Sequence, residues 1–81
     1  MKDAKEPRAH SQLVGRYANF FQVGHTAFEF VIDFGQSYQG GIAEQHHTRI
    51  ITSPAYAVEL LRLLDDSITR YEGTFGAIPK T

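Results

Sequence analysis

The chain has no cysteine among its 81 residues, so neither a disulfide framework nor a thiolate metal site can supplement its core. No stretch approaches the roughly 18 consecutive apolar residues that a membrane-crossing helix needs. No charged-then-apolar segment opens the chain, so the expectation is a cytoplasmic protein without a membrane partner. The formal net charge is only −1, with both signs interspersed, which argues against a dedicated nucleic-acid surface. The length allows one domain at most. A domain this small buries only about 60% of the surface its unfolded chain exposes, so it is marginal alone. With disulfides excluded, oligomerisation is the remaining device, and a dimer-based homo-oligomer is expected.

Residues 1–11 (MKDAKEPRAHS) are polar and aperiodic and read as a disordered tail ahead of one domain over 12–81. The most informative run is Gly15 to Gly35, in which aromatic residues recur on alternate positions. A period of two, broken once at Gly24-His25-Thr26, reads as a β-hairpin. A turn centred on His25-Thr26 pairs Val23 with Phe28, Phe21 with Phe30, Asn19 with Ile32 and Tyr17 with Phe34 on a core face. The other face then carries Gln22 with Glu29, Phe20 with Val31, and Ala18 with Asp33.

Gly40-Gly41 signals a second turn into a third strand, roughly His46 to Thr52. Placing Ile50 beside Ile32 puts Arg49 beside Asp33 and Ile51 beside Val31. A slip of one residue would drive Arg49 into the aromatic core, so this register is preferred. Ser53-Pro54 then supplies an N-cap followed by proline at the first helical position. The helix reads to Glu72, with Gly73 as its left-handed cap. Ala57, Leu61, Leu64, Ile68 and Tyr71 form one apolar stripe, widened on one side by Tyr56, Leu60 and Leu63. Glu59, Arg62, Asp66 and Arg70 form the solvated face, and Phe75 and Ile78 fold back on the helix end. The expected fold is α+β: a three-stranded antiparallel β-meander followed by one long C-terminal helix packed on one sheet face.

Two surplus apolar features point to an interface with another subunit or with an unidentified protein partner. One is a row of Phe20, Val31 and Ile51 across the outer sheet face, which would be polar if open to water. The other is the helix flank of Tyr56, Leu60 and Leu63. The polar candidates have plainer readings. His46 and His47 are neighbours on a strand and point to opposite faces, and neither they nor His10 and His25 show the spacing of a zinc site. Glu29 and Asp33 lie about 13 Å apart along a strand, too far for a paired-carboxylate mechanism. Ser37, Ser53 and Ser67 have no base at recognisable spacing, and Gly40-Gly41 lacks the spacing and lysine of a phosphate loop. No catalytic, cofactor or metal-binding residue is assigned, and the chain is read as a non-enzyme.

Arg16-Tyr17-Ala18-Asn19, Glu29-Phe30, Asp33-Phe34-Gly35, Thr52-Ser53-Pro54 with Ala57 and Leu60, and Tyr71-Glu72 with Phe75-Gly76 together resemble a small bacterial family known as a domain of unknown function. The resemblance covers about Gly15 to Ile78. Val58 departs from it, standing where a basic residue is expected. No activity is attached to that family, so the resemblance implies no catalytic residue. The architecture is also loosely similar to that of SecB-type export chaperones, without a shared motif. The function expected is a self-associating interaction or assembly module. The alternative is a chaperone-like or peptide-binding protein using the outer sheet face or an edge strand.

Overall fold

The computed structural model describes residues 12–38 and 45–80. The expected tail over 1–11 and the Gly40-Gly41 turn lie outside the described residues. Strands β1 (Phe20–His25), β2 (Phe30–Gln36) and β3 (Gln45–Thr52) form an antiparallel sheet in the order β1-β2-β3, and helix α1 (Pro54–Phe75) follows. The three-strand meander with one C-terminal helix is therefore the fold read from the sequence.

The β2–β3 register is also as expected, with Ile32 opposite Ile50, Asp33 opposite Arg49 and Val31 opposite Ile51. The first hairpin differs. Phe21 pairs with Phe34, Val23 with Ile32, Gly24 with Val31 and His25 with Phe30. The turn sits at Thr26–Glu29, closed by the Thr26 N–H donating to the Glu29 carbonyl at 2.9 Å. The Thr26 hydroxyl also accepts from the N–H groups of Phe28 and Glu29, each at 3.2 Å. A threonine hydroxyl that satisfies two turn amides outweighs the Gly24 signal. Phe28, expected opposite Val23 on the core face, is instead exposed at the turn tip.

The corrected register leaves each residue's face unchanged, because the shift is an even number of positions. One face carries Phe21, Val23, Phe30, Ile32, Phe34 and Ile50 as a continuous apolar field. Phe21 and Phe34 meet edge to face with ring centroids 5.8 Å apart. The sheet is irregular between Phe34 and Gly35: Phe34 pairs with Thr48 but Gly35 with His46, so His47 is the extra residue of a β-bulge. A Cβ on Gly35 would lie 2.9 Å from the Cα of His46 and collide with the Gln45 carbonyl. Glycine is required there by close backbone approach.

Helix α1 starts as its sequence dictates. Ser53 is extended (φ −78°, ψ 159°), its hydroxyl accepts from the Tyr56 N–H at 3.2 Å, and Pro54 occupies the first turn. The helix runs past Gly73, the expected cap, and stops at Gly76, whose φ of 93° is the left-handed region that favours glycine. Gly73 costs about 1 kcal/mol inside a helix. Continuing for three residues places Phe75 against Tyr71 one turn back, with ring centroids 4.9 Å apart. The Ile78 N–H returns to the Glu72 carboxylate at 3.1 Å.

The largest departure concerns packing. The helix was expected to lie on one face of the sheet. In the chain as it stands no residue of α1 is buried. Among the described residues only Asp33 and Gly35 are buried, and no large apolar side chain is. The reason is local. One residue, Ser53, separates the end of β3 from the start of α1. Strand–helix connections usually need two to six residues to reverse, and the residue before a proline is held extended. The helix therefore leaves β3 without turning back over its own sheet.

Candidate interaction surface

The outer sheet face is built in three rows across the strands. Gly24, Val31 and Ile51 form the row at the turn end, Gln22, Asp33 and Arg49 the middle row, and Phe20, Gly35 and His46 the far row. The expected apolar row of Phe20, Val31 and Ile51 is thus broken. Val31 and Ile51 are paired, but Phe20 lies two row spacings away, about 13 Å along the strands. The bulge brings the His46 ring onto Phe20, stacked at 5.0 Å with 14° between planes. Ile51 is exposed and Val31 and Phe20 are half-buried.

Between the two apolar ends sits a closed ion pair. The Arg49 Nε and Nη2 donate to the two carboxylate oxygens of Asp33 at 2.7 and 2.8 Å. Such a two-point pair fixes both side chains. That hydrogen bonding is the largest influence on Asp33 and holds its carboxyl below the ordinary value, with partial desolvation opposing. The charges of Arg49 and His46 act in the same lowering direction. Asp33 in turn raises the Arg49 guanidinium above its ordinary value.

The histidines have distinct surroundings. The His47 Nε2 lies 3.0 Å from the Tyr17 carbonyl and Nδ1 lies 2.7 Å from the Thr48 hydroxyl. A carbonyl can only accept, so Nε2 carries a proton. Arg16 donates to the His47 carbonyl at 3.4 Å, which ties the segment before β1 across to β3. Asn19 exchanges two hydrogen bonds with the Ser37 backbone, at 2.8 and 3.2 Å. The Arg16–Asn19 motif therefore has structural work at this end of the sheet. His25 packs its ring against Phe30 at 5.4 Å. A shallow hollow of about 300 Å³ does bring His46 and His47 beside Asp33. Both Asp33 oxygens are taken by Arg49, however, and a carboxyl with a lowered pKa is a poor proton acceptor near neutral pH. Among the described residues no group of three or more His, Asp or Glu is placed to hold a metal ion. No described helix is long and apolar enough to cross a membrane.

The apolar surface is far larger than the polar site. On the inner sheet face Val23 is 65% exposed, and on the helix stripe Leu61 and Leu64 are 67% and 55% exposed. Tyr56, Leu60 and Leu63, the flank singled out in the sequence, are exposed beside them. The opposite helix face is self-satisfied, with Arg62 paired to Glu59 and Arg70 to Asp66 at 3.4 Å. The sequence reading assigns the inner face and the central stripe to an internal core, yet among the described residues neither holds a buried large apolar side chain. The signal for this in the sequence is the single-residue junction at Ser53.

No curated protein and no solved structure matches this chain. A family model does match, over residues 2–80, and its description is a protein of unknown function, DUF3467. This is a family of the kind that the motifs from Arg16 to Gly76 resemble. By that match across nearly its whole length, the chain belongs to the DUF3467 family.

Proposed function

We propose that this protein is a self-associating interaction and assembly module that works as a dimer-based homo-oligomer and carries no catalytic activity. One observation carries the reading: no large apolar side chain among the described residues is buried within the single chain. A folded monomer exposes many single apolar residues, but not both faces that should form its core. The helix flank of Tyr56, Leu60 and Leu63 belongs to the proposed contact surface. Phe20 and the Val31-Ile51 pair are separate, smaller apolar spots on the outer face. A cytoplasmic setting is part of the same proposal. Neither a nucleic acid nor a membrane is proposed as partner, in keeping with the balanced charge. Light scattering on the purified chain tests the proposal: a multiple of the 9.1 kDa chain mass is expected, and a stable 9.1 kDa species at low micromolar concentration would overturn it.

A second reading is a chaperone-like or peptide-binding protein, favoured by the strand order, which leaves β1 and β3 as sheet edges among the described residues. An extended peptide can add to such an edge. Suppression of the aggregation of an unfolded client at stoichiometric ratio, lost on blocking an edge, is the measurement that separates it from pure assembly.

A further inference from the structure

We infer that the assembling unit is a reciprocal dimer in which α1 of each copy lies on the inner sheet face of the other. The inference rests on the self-association proposed above and adds what occupies the face and how. Three observations carry it. The helix cannot cover its own sheet, because Ser53 alone joins β3 to α1 and is held extended ahead of Pro54. The inner face and the helix stripe are both apolar, and among the described residues neither holds a buried large side chain. The remaining helix face is already closed by its own ion pairs and is suited to water.

Dimensions and area agree with this occupant. The 22 residues of α1 span about 33 Å. Strands of six to eight residues span about 20–27 Å. A helix about 10 Å across covers three strands spaced about 4.8 Å apart. Taking roughly 150–200 Å² for each fully exposed side chain, the exposed parts of the inner face and the stripe come to about 570–750 Å² per chain, and the flank of Tyr56, Leu60 and Leu63 brings the total to about 830–1,100 Å². A standard stable interface buries about 800 Å² per partner. A second copy supplies both surfaces at once: under a two-fold axis each helix finds a sheet and each sheet a helix, and the contact closes without leaving a free apolar face.

The absence of native cysteine makes the test clean. Val23→Cys on the inner face is combined in turn with Leu61→Cys, Leu64→Cys and Ile68→Cys on the helix. Each double variant is treated with a bis-maleimide and read on a denaturing gel, with the single variants as controls and light scattering on the untreated protein. Expected is a covalent species of twice the chain mass for at least one pair, weak or absent in the controls. Mixing a Val23→Cys chain with an isotope-labelled Leu64→Cys chain, refolded together, should yield a cross-linked species carrying one copy of each. Cross-linking within single chains would overturn the inference, and so would no cross-link at any of the three positions in a protein that scatters as a dimer. Either result would leave self-association standing. A wild-type protein that scatters as a monomer would overturn both.

Discussion

Leu64→Asp places a charge at the middle of the helix stripe, where the side chain is 55% exposed in the single chain. Were that exposure final, the change would cost only helix propensity, about 0.5 kcal/mol. In a dimer the exposed half of Leu64 is covered. Full burial of a leucine is worth about 1.5–3 kcal/mol, so the lost half is about 1 kcal/mol per chain and about 2 kcal/mol by symmetry. Each carboxylate would also be desolvated without a partner, adding several kcal/mol. A total above about 5 kcal/mol weakens association by more than a thousandfold. Because no large apolar side chain among the described residues is buried in the single chain, dissociation should carry unfolding with it. Light scattering and circular dichroism at micromolar concentration should therefore show loss of mass and loss of helix together. Thr69→Asp, on the solvated side, adds the same charge and should leave both near wild type. The reasoning is refuted if Leu64→Asp keeps wild-type mass, or becomes a monomer that melts like wild type.

Three further changes probe the sheet. Gly35→Ala should cost about 1–3 kcal/mol in urea unfolding, because its methyl group meets backbone at the bulge; a change within about 0.5 kcal/mol would deny the close approach. Ile51→Asp, on the outer face, should leave the mass unchanged, and loss of mass here but not with Leu64→Asp would move the interface to the outer face. Asp33→Asn should lower the melting temperature at pH 7. The folded-state pKa of Asp33 is depressed, so its contribution is present above the unfolded carboxyl value and is lost as pH falls through the folded one. The gap between wild type and variant should narrow as pH falls below the ordinary carboxyl value, and a gap that stays constant through that range would refute the role of the ion pair.

The residues that proved legible in the sequence were those with one sterically sensible place. Parity kept Arg49 off the aromatic face, and the register of that parity that pairs its charge with Asp33 is the one the β2–β3 hairpin adopts. Ser53-Pro54 could only begin a helix. The first hairpin misled because strand alternation repeats every two residues, so the turn could move without changing any face. What decided its place was the Thr26 hydroxyl, which alternation does not register. The outer row of Phe20, Val31 and Ile51 fell with that register. The helix end slipped from Gly73 to Gly76 because either glycine could cap, and the Tyr71–Phe75 contact favoured the later one. The helix stripe was correctly apolar but wrongly assigned to its own sheet. Amphipathic periodicity tells that a face is to be covered, while the single connecting residue, Ser53, keeps the helix from turning back over its own sheet.

Sedimentation equilibrium of the wild-type chain over a wide concentration range, paired with its melting temperature at each concentration, tests self-association most directly. Expected are twice the 9.1 kDa chain mass at micromolar concentration and a melting temperature that rises with concentration, as mass action requires of a fold completed by its partner. A 9.1 kDa species throughout, with a sharp melting transition independent of concentration, would contradict it.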